Sequence, residues 1–298
     1  MEAYRELKEL LEPVCPGLLD QVQNKIKKSE KDFEKGRKKD SDSFLWEHSI
    51  FVAMLVLKIC RMENTSPLFP VVAALFHDIG KFEGGHYQKD DIPEEITSAR
   101  LAKEILSSLG FDKSGIDSVF VSLNALYDEK TKNNSLADIL HDADFLSKTG
   151  YIGVANFFLK SAMRGRNILS SLTQSLSKEL TYAAHLPNNM RTQSGKKLAE
   201  KRSHNVSLFF ENLLEELGEL GIAKFEKREE TLPCPQKSGK KLKFILILPE
   251  SCPSCQKGMR PEYSFAQGIK CTELVVLLSC LSCPSNFRLS FCLPEIAC

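Results

Sequence analysis

Apolar positions along this chain recur with a helical period as far as residue 217, and give way to short strand-like runs only after Gly221. Residues 1 to about 40 form a charged helical segment. Its basic positions, Lys25, Lys27, Lys28, Lys31, Lys35, Arg37, Lys38 and Lys39, are diluted by Glu30, Asp32 and Glu34, as on a solvated helix face. Asp42 or Ser43 can serve as N-cap for a strong helix that places Phe44, His48, Phe51, Val52, Leu55 and Ile59 on one face. A second apolar helix is predicted from Leu68 to Ile79, with Gly80 as its stop. Further helices are expected at Ser98–Leu109 (ended by Gly110), at Gly115–Leu126, from a Ser135 cap into Ala137–Leu140, through Gly150–Met163, and over 195–217. Beyond Gly221, TLPCPQKSGKK reads as a turn-rich linker and KFILILP as a β run, with more strands at 271–281 and 287–293. The expected class is mainly α, a helical core followed by a small β-rich domain. The expected parts are 1–40, a core at 41–220, a linker at 221–240 and a tail domain at 241–298.

Composition narrows the picture. The 298 residues are 42% hydrophobic and 27% charged, too apolar for general disorder. Forty basic and thirty-nine acidic side chains give a net charge of +1, which makes the whole molecule no obvious nucleic-acid or membrane binder. The longest apolar run, Ile50–Leu57, is far short of the ~18 residues that span a bilayer. MEAYRELKEL at the start lacks the apolar core of a signal peptide. A cytoplasmic protein is expected. Of ten cysteines, only Cys15 and Cys60 precede Cys234, a clustering that fits a metal knuckle in a reducing compartment better than a secreted disulfide scaffold.

Candidate chemistry in the helical part gathers at His48, at the adjacent His77 and Asp78, and at the acidic pair Asp142 and Asp144. Singly, each has an ordinary explanation as a core histidine or a helix cap. Together, each sits on an inward face or at a helix end, where a charge is costly unless it is paired or bound to metal.

WEHSI around His48, LFHDIGK at Leu75–Lys81 and HDADFL at His141–Leu146 resemble, in order and spacing, the HD-domain metal-dependent phosphohydrolases. The resemblance covers roughly 40–215 and implies a helical HD core with His48, His77, Asp78 and Asp144 as metal ligands. Asp144 is preferred because Phe145 and Leu146 follow it, and Asp142 becomes a supporting group or a general base. Such a donor set suits one divalent ion, Mn, Fe, Co, Ni, Zn or Mg, which would activate a water for hydrolysis of a small phosphorylated substrate such as a nucleotide. Two-metal relatives carry extra histidines where this chain has Glu94 or Glu95 and Asn124, with His86 the only spare imidazole, so one metal is expected. Lys81 stands where some relatives carry an acidic residue, and suits phosphate binding. Lys148, Arg164 and Arg166 are further phosphate candidates. The rival expectation is a non-catalytic regulator that senses a nucleotide or binds nucleic acid or protein.

The tail has its own pattern. Cys252 and Cys255 form one C-x-x-C, Cys280 and Cys283 a second, and 24 residues separate the pairs. Four thiolates on one tetrahedral zinc would make a zinc-ribbon-like domain with a closed, structural site. Cys271 could compete as a ligand, and Cys234, Cys292 and Cys298 are surplus. Eleven basic and seven acidic residues between 221 and 298 leave a contact with nucleic acid or protein open, and a homo-oligomer is compatible with the sequence.

Overall fold

The computed structural model describes residues 2–33, 43–85, 92–126, 134–233, 241–251, 255, 257–267, 272–284 and 286–292. They divide into two compact units: Met1–Ser147 with Met190–Gly195, and Lys148–Asn189 with Lys196–Cys298.

The first unit is helical: α1 (Glu2–Leu11), α2 (Leu18–Phe33), α3 (Phe44–Glu63), α4 (Leu68–Phe76), α5 (Glu94–Ser108), α6 (Lys113–Asn124) and α7 (Ser135–Ser147). Helix α3 is its axis. The sequence pattern gave it one apolar face, yet Trp46, Ile50, Ala53 and Leu57 are buried as well as Val52, Leu55 and Ile59, because α1, α2, α4 and α7 pack around it. A helix apolar on most sides belongs in the middle of a bundle. Ser43 is its N-cap, accepting from the Trp46 N–H at 3.0 Å. Ser43 Oγ in turn donates to Glu30 at 2.5 Å, and Glu30 also accepts from the Leu45 N–H. The N-terminal segment is therefore less solvated than its charge indicated: Leu7, Leu11, Leu18, Val22 and Ile26 lie in the core, and Glu30 is a buried capping partner.

Helix α4 stops at Phe76, and residues 77–81 continue in tight turns closed by the Ile79 N–H to the Phe76 carbonyl and the Lys81 N–H to the Asp78 carbonyl. Gly80 serves close packing: a Cβ there would lie 2.8 Å from the Ser98 nitrogen and 2.9 Å from the Glu94 carbonyl oxygen of α5. The cap of α7 is shifted by one residue from expectation. Asn134, rather than Ser135, accepts from the Ala137 N–H.

The second unit combines α8 (Gly150–Met163), a short α9 (Ile168–Ser171) leading through a π-helical turn at Leu172–Leu176 into α10 (Ser177–Asn189), the body of α11 (Gln193–Glu219) and five strands. Strand β1 (Phe225–Pro233) pairs antiparallel with β2 (Lys241–Pro249), and β3 (Met259–Gln267), β4 (Thr272–Cys280) and β5 (Asn286–Cys292) form an antiparallel sheet in that order. β1 lies within the expected linker; its alternation is weak, and its partner β2 supplies the apolar half of the pair. β2 is apolar on both faces for a reason. Leu242, Phe244, Leu246 and Leu248 pack with Leu274, Val276, Leu278 and Leu289, while Ile247 joins Val154, Phe157, Leu176, Val206 and Phe210. Successive turns of α10 bind the edge of β2. Ser177 Oγ accepts from the Ile247 N–H, Thr181 Oγ1 accepts from the Ile245 N–H and donates to its carbonyl, and His185 bonds the Lys243 carbonyl. Side chains one helical turn apart meet alternate strand residues, so a strand edge is covered without a further strand. Among the described residues, no helix is long and apolar enough to cross a membrane.

Candidate metal centre

Three helical segments of the first unit carry the predicted ligands to one point. His48 projects from α3, His77 and Asp78 leave the end of α4, and Asp144 sits in α7, on which Asp142, Ala143 and Leu146 are also buried. The two Nε2 atoms are 3.2 Å apart. His48 Nε2 lies 3.6 Å from Asp78 Oδ2 and 3.4 Å from Asp144 Oδ1, and His77 Nε2 lies 3.7 Å and 3.8 Å from the same oxygens. His77 and Asp78 are 1% and 3% exposed.

This donor set fits a divalent cation on physical grounds. His77 Nδ1 bonds the Ala74 carbonyl at 2.7 Å, and a carbonyl can only accept. The Nδ1 nitrogen therefore carries the proton, and Nε2 turns a lone pair toward the cluster. Burial holds His77 below its ordinary pKa against the pull of Asp78 and Asp144, which keeps the ring neutral. Burial would raise the Asp78 carboxyl, but the positive charge around it, with Lys81 at 2.9 Å, outweighs that and holds it well below the usual range. A lone pair and two carboxylates facing one another repel unless a cation sits among them. Ser147, which the sequence pattern did not mark, donates to the Asp144 carbonyl at 2.6 Å and lies 3.5 Å from His48 Nδ1. Only its place one turn after Asp144 could have pointed to it.

Lys81 sits at the rim, 2.9 Å from Asp78 Oδ2 and 3.8 Å from Glu94 Oε1. Burial works to lower its pKa, and the two carboxylates outweigh that and hold it above its usual range. Asp142 is fully buried and faces other work. Its oxygens accept from the Arg191 N–H (2.9 Å), the Thr192 N–H and hydroxyl (both 2.8 Å) and His141 Nδ1 (3.0 Å). Thr192 Oγ1 accepts from the Gly195 N–H, and Glu63 accepts from the Ser194 N–H, so the first turn of α11 is capped from three sides. A Cβ on Gly195 would fall 2.1 Å from Asp142 Oδ2, so only glycine fits.

The other candidates divide. Asn124 bonds the Phe120 carbonyl within its own helix. Glu94 and Glu95 open α5. Lys148, Arg164 and Arg166 belong to the second unit, where Arg166 donates to Ser175 Oγ. His86 lies outside the described residues, as do Cys234, Cys252, Cys271 and Cys298. Cys255, Cys280 and Cys283 come together in the second unit, close enough to share an ion.

Residues 45–149 match the profile of the HD domain. The matched segment is about a third of the chain. It holds all four predicted ligands. Among solved structures, a predicted HD superfamily hydrolase from an uncultured Thermotogales bacterium superimposes with a TM-score of 0.51 at 23% identity, covering 71% of this chain and 99% of that one. YpgQ of Bacillus subtilis, determined in complex with ADP, gives 0.46 at 20% identity, covering 67% of this chain and 96% of its own. No curated protein matches. The first of these likenesses shows a shared fold, and the chain continues past the matched segment into the antiparallel β region with its cysteine cluster.

Proposed function

We propose that the chain is a divalent-metal-dependent phosphohydrolase acting on a small phosphate ester, with nucleotides as the leading substrate class. The observation that carries this reading is the convergence of His48, His77, Asp78 and Asp144 from three helical segments on one point. These four residues hold one cation drawn from Mn, Fe, Co, Ni, Zn or Mg. Bound there, such an ion polarises a phosphoryl oxygen and lowers the pKa of a water.

The remaining residues divide the work. Lys81 keeps Asp78 ionised and presents positive charge at the rim, where a substrate phosphate can meet it. Asp142 has its acceptor positions filled by Arg191, Thr192 and His141, and acts as a positioning residue for the start of α11, leaving proton transfer to another group. Nucleotides are favoured because the HD motifs of this sequence resemble those of phosphohydrolases that act on them.

The test is phosphate release by the purified chain from a panel of nucleoside mono-, di- and triphosphates, each with manganese, cobalt, nickel, zinc and magnesium. At least one pairing is expected to turn over, and His77→Ala and Asp78→Ala to abolish it. Turnover unchanged in both variants, or none with any pairing, sinks the reading.

A further inference from the structure

The cysteines of the β region are not used by the proposed hydrolysis, and their placement follows from strand register. Met259 opens β3 opposite Cys280, the last residue of β4. The chain just before β3, which carries Cys255, therefore lies at the same end of the sheet as the β4–β5 turn, which carries Cys283. A backbone bond from the Leu281 N–H to the Gly258 carbonyl at 3.1 Å ties the two turns together. The sulfurs of Cys255, Cys280 and Cys283 all lie within 4.8 Å of one another.

From this geometry we infer that Cys255, Cys280 and Cys283 hold a second metal ion, a thiophilic divalent cation of the zinc class, that clasps the two turns of the β region. Zinc–sulfur bonds of about 2.3 Å in a tetrahedron put sulfurs roughly 3.8 Å apart. The Cys255 and Cys280 sulfurs are 3.4 Å apart, close to that edge and far from the bonding distance of about 2.0 Å in a disulfide. The Ser282 N–H points at Cys280 Sγ at 3.3 Å, an outer hydrogen bond of the kind that steadies a metal-bound thiolate. Three thiolates at this spacing repel one another, and a dication removes the repulsion. Soft sulfur donors select zinc over magnesium or calcium. The role is structural. β3 and β5 join only through β4, so an ion linking the turns that precede β3 and follow β4 adds a cross-link that the three-stranded sheet lacks.

The experiment uses the full chain, expressed with zinc and purified under reducing conditions. Metal analysis of His77→Ala is expected to find about one equivalent of zinc retained, and of Cys280→Ser or Cys283→Ser to find it lost. Cobalt in place of zinc is expected to give the strong near-ultraviolet charge-transfer band of at least three thiolates, in both wild-type and His77→Ala protein. That spectrum needs no cysteine variant to fold. Absence of the band, or zinc content unaffected by both cysteine variants, overturns the inference. Because His77→Ala disables the proposed hydrolase centre while sparing the thiols, failure of one assignment leaves the other standing.

Discussion

The two donor clusters of this chain live in opposite surroundings. The imidazole–carboxylate cluster hangs on helices whose side chains are locked by packing: His77 is buried, its Nδ1 is fixed by the Ala74 carbonyl, and Asp144 lies on a helix buried over most of its length. The thiols sit half-exposed at the end of β4 and on the turns beside it, steadied by one backbone bond and one N–H···S contact. The first cluster is organised by its fold before any ion arrives, as a site for chemistry must be. The second joins a strand end to two turns, and there the proposed ion would be part of the fold. Similar ligand-like residues thus do different work according to whether the scaffold or the cation supplies the order.

The largest effect that would break this contrast is on activity. His77→Ala or Asp78→Ala should lower metal-dependent phosphate release by about a hundredfold or more, above the roughly 10- to 100-fold typical of losing a group that only supports a ligand. The melting profile of the helical unit should stay cooperative. A variant that lost the helical fold as well would show that the cation organises this site too.

Asp142→Ala should cost about 2–3 kcal/mol, since it leaves several part-buried donors of residues 191 and 192 without their acceptor. Denaturant unfolding measures this, and the pH–rate profile should keep its shape. A profile that lost its basic limb would return Asp142 to proton transfer. A smaller loss, about 1–2 kcal/mol, is expected for Thr181→Val, which removes both bonds between α10 and residue 245. Hydrogen exchange at the Ile245 amide reads it directly. An unchanged exchange rate would mean that α10 does not hold the β2 edge.

The smallest effect concerns pH. Burial pushes the Cys60 thiol above its ordinary pKa, against hydrogen bonding with Thr65. The unfolded chain ionises this thiol near its usual value of about 8.5 while the folded chain keeps it protonated. Stability is therefore full below that pH and falls as pH rises through it. Cys60→Ala should flatten the alkaline limb of melting temperature against pH between about 7 and 10. A limb of identical slope in both proteins would exclude Cys60 as its source.

Much of this was legible in sequence because helical period and motif spacing are local. His48, the His77–Asp78 pair and Asp144 could be picked out since each polar group interrupts an apolar face, and α3, α4 and α7 appeared where that period placed them. β1 and β3 escaped, because a strand with one exposed face and scattered charges looks like linker until its partner is known. Asp142 is the clearest example of what remained hidden. Beside Asp144 in sequence it looks like a second catalytic carboxylate, and nothing local says that Arg191 and Thr192, some fifty positions later, fill its acceptor sites.

The sequence by itself determined which residue types were available: the helical body, the four donors of the HD motifs and the paired C-x-x-C knuckles. The tertiary structure decided which of them meet. It set two imidazoles and two carboxylates around one point, turned Asp142 toward the start of α11, bound the edge of β2 to the polar stripe of α10, and carried Cys255 to Cys280 through strand register. Periodicity along a chain records the face a side chain occupies, but a partner dozens of residues away is fixed only when packing brings the two faces together.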